Sequence, residues 1–327
     1  MNDRELVEKV LAGQAVPRVP VGFWFHFLSD SEMGEGLFDQ SLLERNIKGH
    51  QEYIENFKPD LVKIMTDGYF TYPLVGGARA IKCQADLELI QPIGAEHPWI
   101  RDQVKLAQRV TQMKPETFYF YNIFSASTTL RFMIGRKALL EWLDQDEKVT
   151  LSALERLNSG LNTLVQAIVK EGGVDGLYLS VQNPDLGRLG DWLYWERLAP
   201  GEINLLKTTK EMGGQSILHI CGYEGVRNNF LLYRDYPASI FSWAVNVEKF
   251  PLAQGLKFFP GKAVLGGFPN TKGSVLEIGQ KSEVVDFTKK LVAEAGRLGV
   301  IIGADCTIPQ GLPLERLEWV RQTLSGQ

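Results

Sequence analysis

Residues 216–222 read Ser-Ile-Leu-His-Ile-Cys-Gly, a short apolar run that stops at a glycine. A run of this length and composition is typical of a buried β-strand. Residues 300–306, Val-Ile-Ile-Gly-Ala-Asp-Cys, form a second run of the same kind. Most of the other strand-like runs are apolar almost throughout, as in parallel strands that are covered on both faces. The eight predicted strands are Val19–Phe27, Leu61–Asp67, Thr117–Phe124, Gly176–Gln182, Ser216–Gly222, Ile240–Asn246, Ala263–Phe268 and Val300–Cys306.

Amphipathic stretches typical of helices lie between these strands, for example Ser41–Phe57, Lys137–Lys170, Ile203–Met212 and Ser274–Arg297. Eight strand–helix units in 327 residues predict an α/β fold, a (β/α)8 TIM barrel. The alternative is an open doubly wound sheet, which usually carries a glycine-rich loop after its first strand. Residues 28–32, Leu-Ser-Asp-Ser-Glu, form no such loop. We therefore predict a single domain, residues 1–327, with residues 1–18 as a helical extension packed outside the barrel.

The composition is that of a globular protein, with 44% hydrophobic and 23% charged residues and a net charge of -4. Without a lysine- or arginine-rich run, neither nucleic acid nor an anionic membrane is expected as a partner. The amino terminus lacks the apolar core of a signal peptide, and no apolar segment is long enough to cross a membrane. The three cysteines lie far apart and do not suggest a disulfide framework. We expect a cytoplasmic protein; nothing indicates its oligomeric state or a role for Cys83.

Two cysteines and one histidine stand at the ends of two predicted strands. Side chains two residues apart share a strand face, so His219 and Cys221 point the same way, and Cys306 ends the last strand. In a barrel these strand ends meet at one face. Two thiols and one imidazole would form a Cys2His zinc site with its fourth position open, which is the catalytic pattern. The alternative for each residue alone is a buried core side chain, but the chain has only three cysteines and four histidines.

Three carboxylates near the strand ends are candidate catalytic residues. Asp67 is a candidate for substrate anchoring or proton transfer, and its alternative is a strand-end hydrogen bond. Glu224 and Asp305 are close to the metal ligands in sequence and could orient them or cap the fourth position. The alternative for both is a solvated loop carboxylate. Lys63 and Arg79 are cations that could contact an anionic group, but no spacing supports either.

At these residues, and from Leu11 to Glu315, the sequence resembles the uroporphyrinogen decarboxylase superfamily. The resemblance implies a single (β/α)8 barrel. The superfamily contains decarboxylases of the haem pathway, which need no cofactor. It also contains zinc methyltransferases that move a methyl group from a corrinoid protein to a thiol such as coenzyme M. His-x-Cys with a distant third cysteine marks the methyltransferase branch, and His219, Cys221 and Cys306 match that motif.

Departures from the decarboxylase pattern favour the methyltransferase branch. The decarboxylases carry an arginine-rich first-strand segment, whereas residues 21–30 contain no arginine. They also place a histidine near the last strand, where this chain has Cys306. Asp67 does match the aspartate that faces the pyrrole nitrogens. A substrate with many carboxylates would need several cationic partners, because unpaired buried charge is costly.

The resemblance implies Zn²⁺ as cofactor, a small thiol as substrate and a methyl-corrinoid as donor. A free thiol is only about 3% ionised at neutral pH, and metal coordination would remove that deficit. The substrate thiolate would take the open position and attack the methyl–cobalt bond. The chain has no Asp-x-His-x-x-Gly corrinoid signature, so we expect the corrinoid to be bound to a separate carrier protein.

Three other functions remain open. The first is decarboxylation of a porphyrinogen or another polycarboxylate without metal, with Asp67 central. The second is zinc-dependent methyl transfer from a folate to homocysteine, as in cobalamin-independent methionine synthases, which we expect to be much longer proteins. The third is a corrinoid- or porphyrin-binding protein without turnover. The thiol acceptor and the upstream methyl donor are not indicated by the sequence.

Overall fold

A parallel β-sheet forms the centre of the molecule in this computed structural model. The structure describes residues 1–182, 186–222 and 227–326, and the side chains of residues 186–189 lie outside that description. Within these ranges seven strands are hydrogen-bonded in chain order, each parallel to the next. The strands are β1 Leu61–Ile64, β2 Phe118–Phe124, β3 Gly176–Val181, β4 Gln215–Ile220, β5 Ile240–Trp243, β6 Ala263–Phe268 and β7 Val300–Ala304. The sheet is curled and TIM-barrel-like.

Helices follow most of the strands and cover the outer face of the sheet, as expected for parallel strands joined by crossovers. The α-helices are α1 Asp3–Leu11, α2 Ser41–Phe57, α3 Pro98–Thr111, α4 Ala126–Ile134, α5 Arg136–Gln145, α6 Glu147–Glu171, α7 Leu186–Leu193, α8 Ala199–Glu211, α9 Val245–Glu248, α10 Leu252–Phe258, α11 Val275–Ile278, α12 Lys281–Ala295 and α13 Leu314–Ser325. No helix in the described ranges combines the length and apolarity needed to span a membrane.

The strand predicted at Val19–Phe27 is wrong as a strand, although its first part lies beside the sheet. Only Val21 pairs with β7, through one parallel bridge to Ile302. The Gly22 amide donates to the Ile302 carbonyl at 3.0 Å, and the Asp60 amide donates to the Val21 carbonyl at 3.0 Å. The segment therefore lies between β7 and β1. It forms no regular ladder because Pro20 has no amide hydrogen, and the Val21 amide donates to the Asp60 carboxylate at 2.8 Å.

Side chains inside the curled sheet form their own apolar cluster, separate from the larger cluster under the helices. They come from alternate strand positions, as the period of two requires: Leu61, Met65, Phe118, Phe120, Tyr178, Ile217, Ile240, Ala263, Leu265 and Ile301. The backbone of β7 lies close to that of the segment at residues 19–27, since a Cβ on Gly303 would lie 2.7 Å from the Gly22 carbonyl oxygen.

Helix α1 covers the amino-terminal end of the sheet. Its residues Val7 and Val10 belong to the inner apolar cluster, and the Arg4 amide donates to the Glu116 carbonyl just before β2. The Arg4 guanidinium pairs with Asp175 just before β3. The helix predicted within residues 1–18 thus ends at Leu11 and is part of the core instead of an outer extension. The carboxyl ends of the strands lie at the opposite end, where TIM-type barrels carry their active sites.

Candidate metal centre

Three potential metal ligands converge at the carboxyl ends of β4 and β7. His219 lies on β4 and points inward with Ile217, while Cys221 directly follows the strand and extends its ladder by donating to the Val181 carbonyl at 3.0 Å. Cys306 lies two residues beyond β7. The three ligand atoms all lie within 4.8 Å of one another, and the two sulfurs are 3.9 Å apart. The structure therefore brings together all three of the predicted ligands.

The geometry of these three side chains suits a tetrahedral metal ion. With metal–sulfur bonds of about 2.3 Å, two cysteine ligands of one tetrahedral zinc lie about 3.8 Å apart. The 3.9 Å between Cys221 and Cys306 matches that separation. His219 is 1% exposed, and among the described residues its Nε2 has no hydrogen-bond partner. An orphaned, buried imidazole nitrogen beside two thiols is explained if Nε2 binds a metal.

Ser242 fixes the orientation of the His219 ring. The Ser242 hydroxyl on β5 lies 3.1 Å from Nδ1 of His219, and the two residues are paired in the strand register. The Tyr178 ring stacks on the imidazole, with 5.4 Å between the ring centroids. Because Nδ1 is engaged in this way, Nε2 is the nitrogen left to bind a metal.

The two thiols act electrostatically as a pair. A hydrogen bond from the Cys221 thiol holds the pKa of Cys306 well below its usual range, and His219 and Lys63 assist. The same bond, together with burial, raises the pKa of Cys221. Cys306 is therefore the sulfur that ionises first. A metal ion would complete the deprotonation, because the thiolate is the ligand form of cysteine.

Asp305 lies next to the ligands in the chain but outside their cluster. The backbone amide and the side-chain amide of Asn246 donate to its Oδ2 at 2.8 and 2.9 Å. Its Oδ1 is buried and has no partner among the described residues. Burial raises the pKa of Asp305 to about 6. The carboxylate is buried instead of solvated, and its role in orienting the ligands stays a prediction.

Asp67 binds the backbone and the histidine side chain of residues 26–28. It is fully buried, its Oδ2 accepts from the Phe27 and Leu28 amides at 2.6 and 3.2 Å, and its Oδ1 lies 2.8 Å from Nδ1 of His26. Both oxygens are therefore occupied by protein groups, as in the structural alternative. A catalytic role for Asp67 stays a prediction. Glu224, the third candidate, lies outside the described residues.

The sequence interpretation did not identify several groups around the ligands. Asn228 donates to the Cys221 carbonyl at 3.1 Å, and the Glu248 carboxylate accepts from Asn228 Nδ2 at 2.7 Å. The positive charge of Arg131 on α4 opposes part of the rise in the pKa of Cys221. Alternation along β5 could have revealed Ser242, which lies two residues after the inward-pointing Ile240. Nothing in the local sequence marks Asn228, because its contacts cross a loop.

A family model described as uroporphyrinogen decarboxylase (URO-D) matches residues 73–326. None of the curated proteins compared with the chain matches it. Among solved structures, a methyltransferase from Methanosarcina mazei has a TM-score of 0.78 at 15% identity and aligns over 100% of this chain and 99% of that one. A β-mannanase from the blue mussel Mytilus edulis has a TM-score of 0.55 at 12% identity, over 93% and 92% of the two chains.

A B12-independent methionine synthase from Shewanella sp. W3-18-1 has a TM-score of 0.62 at 12% identity. The alignment covers 94% of this chain and 96% of that one. The expectation that such methionine synthases are much longer therefore does not hold for the Shewanella protein. At these identities the three structures show a shared fold and nothing more. The family match, by contrast, extends over most of the chain. This protein therefore belongs to the uroporphyrinogen decarboxylase family.

Proposed function

We propose that this protein is a zinc-dependent methyltransferase that moves a methyl group from a methyl-corrinoid, bound to a carrier protein, to a thiol such as coenzyme M. The observation that carries the proposal is the convergence of His219, Cys221 and Cys306 within 4.8 Å at the active-site end of the sheet. Two thiolates and one neutral imidazole balance the charge of a divalent ion and leave one of four positions open. That is the donor set of a catalytic zinc site.

Each residue around the centre has a definable task in this proposal. Zinc, when bound, would supply a Lewis acid that keeps a substrate thiol ionised at neutral pH. Cys221 and Cys306 would hold the ion, and Ser242 keeps the His219 ring in register with them. Asn228 fixes the Cys221 carbonyl at the start of the following loop. Asn246 orients Asp305 beside the ligands, where its carboxylate would tune them.

The cationic groups near the site favour methyl transfer over decarboxylation of a polycarboxylate. Residues 21–30 contain no arginine, and Arg18, just before them, pairs with Asp60. Among the described residues, Lys63 and Arg131 are the cations whose charge lowers the pKa of a thiol in this pair. A substrate with several carboxylates would bring more negative charge into the barrel than these two side chains can compensate.

The proposal also covers the domain structure, the docking site of the carrier protein and the cellular location. We infer one (β/α)8 barrel domain, in which the segment around Val21 takes the place of the eighth strand between β7 and β1. The corrinoid carrier would dock transiently at the carboxyl end of the strands, the end at which the three ligands lie. The protein would act in the cytoplasm, where its thiols remain reduced.

Metal content and methyl transfer test the proposal together. Elemental analysis of protein purified in reducing, zinc-replete buffer should give about one zinc per chain, and Cys306→Ala should lose it. Cys83→Ala is the matched control, because Cys83 is an exposed free cysteine away from the cluster. Methylcobalamin with coenzyme M, and methyltetrahydrofolate with homocysteine, then separate the two methyl-transfer reactions. Absence of zinc from the wild type would reject both and make metal-free decarboxylation the leading function.

A further inference from the structure

Lys63 is a buried ammonium inside the curled sheet. It lies on β1 between the inward-pointing residues Leu61 and Met65, and it is 6% exposed. Across the described part of the chain, no carboxylate forms an ion pair with it. Its Nζ instead lies 4.0 Å from the centroid of the Tyr178 ring and 5.3 Å from that of Trp24. Cation–π contacts of this kind offset only part of the cost of burying a charge.

Tyr178 connects this ammonium to the metal ligands. The same ring that faces Lys63 Nζ stacks on His219, with an interplanar angle of 29°. In the strand register Ser180 pairs with His219, so Tyr178 lies on the neighbouring strand one inward position before the histidine. Lys63 is therefore one aromatic ring away from the metal centre, and no hydrogen bond to a ligand is formed.

The negative groups that act on Lys63 are Cys306, Asp67 and Cys221. Burial lowers the pKa of Lys63 to about 8, and negative charge on Cys306, Asp67 and Cys221 opposes that effect. Asp67 is already satisfied by the loop at residues 26–28. The thiol pair is therefore the part of the surroundings whose charge changes when metal and substrate bind.

We propose that Lys63 is a positioning residue that makes the open position of the metal centre selective for an anionic sulfur ligand. The inference rests on the proposed function. A divalent ion held by two thiolates and an imidazole would carry no net charge. A third thiolate would make the centre singly negative, and Lys63 would compensate that charge. On binding, the S–H bond of the thiol breaks, the electron pair stays on sulfur and the proton leaves to the buffer.

A purely structural ammonium would behave differently. Its removal would affect every ligand alike, through a displaced Tyr178 or His219. A charge acting through space discriminates between ligands by their charge. Unit charges about 10 Å apart at an effective dielectric constant of about 20 interact strongly enough to change an affinity about tenfold, or about 1.4 kcal/mol.

The test uses the full-length protein loaded with Co²⁺, whose visible spectrum reports ligand binding without turnover. Wild type and Lys63→Met are titrated with 2-mercaptoethanol and azide as anionic ligands, and with imidazole as the neutral one. We expect 2-mercaptoethanol and azide to bind about tenfold more weakly to Lys63→Met and imidazole to bind within twofold of wild type. Lys63→Gln, a second charge-free variant, provides the same comparison if the methionine variant does not fold.

Thermal unfolding of the metal-free proteins adds an independent readout. We expect Lys63→Met to be at least as stable as wild type, because an unpaired buried charge is removed and the apolar stem is kept. The proposal would be overturned if Lys63→Met bound 2-mercaptoethanol and azide as tightly as wild type does. It would also be overturned if the variant lost affinity for imidazole to the same extent as for the two anionic ligands. A wild-type protein that takes up neither Co²⁺ nor Zn²⁺ would instead overturn the proposed function and, with it, this inference.

Discussion

Replacement of Ser242 by alanine should weaken zinc binding without removing any ligand. The Ser242 hydroxyl lies 3.1 Å from Nδ1 of His219, and the two residues are 0% and 1% exposed, so water cannot take the place of the lost group. Without it, the ring loses the contact that fixes its tautomer and orientation. Loss of such a partner typically costs about 10- to 100-fold in metal affinity, or about 1.4 to 2.7 kcal/mol.

Competition with a chromophoric zinc chelator measures this affinity directly. Ser239→Ala is the matched control, since Ser239 precedes the same strand and bonds Gln215 at its amino-terminal end, far from the ligands. We expect the Ser239 variant to bind zinc as wild type does. Wild-type affinity in Ser242→Ala, or equal losses in the two variants, would refute the idea that Nε2 of His219 is the ligand atom held in place through Nδ1.

Three further predictions follow from other buried groups. Burial lowers the pKa of His50 to about 4, and both of its ring nitrogens are hydrogen-bonded to backbone groups. The native state therefore protonates this histidine at a lower pH than the unfolded state does. His50 should therefore contribute a fall of about 1.4 kcal/mol per pH unit in the free energy of unfolding as the pH drops from about 6.5 to 4, and His50→Gln should remove this contribution in urea titrations across that range. Asn228→Ala should lower zinc affinity several-fold in chelator competition by freeing the Cys221 carbonyl, whereas Asn229→Ala, at a position that bonds Asp191, should not. Asp67→Asn should cost about 1–3 kcal/mol of stability in urea, because a neutral amide oxygen accepts more weakly from the Phe27 and Leu28 amides than the carboxylate does and an NH2 group replaces the oxygen that faces Nδ1 of His26, while zinc content stays at the wild-type level.

Most of the sheet could be predicted because parallel strands covered on both faces have sequences that are apolar almost throughout. Seven of the eight predicted runs are strands of the sheet. The run at Val19–Phe27 has the same composition, but a residue outside the run takes one of its backbone hydrogen bonds. The Asp60 side chain, about forty residues away in sequence, takes the Val21 amide, and no local pattern reveals such a competitor.

The ligand set could be predicted for a related reason. His219, Cys221 and Cys306 stand at strand ends, and a parallel barrel brings strand ends together whatever the loops do. The surrounding groups could not be predicted with the same ease. Asn228 reaches Cys221 through a loop, and Lys63 is notable only once it is known to lie inside the sheet with no ion-pair partner among the residues that the structure describes. Alternation places a side chain on a face, but its electrostatic partners come from other strands.

The charge inside the curled sheet links the fold to the proposed reaction. A family barrel that accepts a polycarboxylate needs fixed cations in its wall, whereas one that holds two thiolates needs a divalent ion and little more. In this chain the first segment carries no arginine, and the interior of β1 presents a single lysine beside a thiol pair. Bound zinc would neutralise the two cysteine thiolates, which leaves Lys63 to compensate one further negative charge. One unit is the charge of a substrate thiolate, and it is far less than a substrate with several carboxylates would bring.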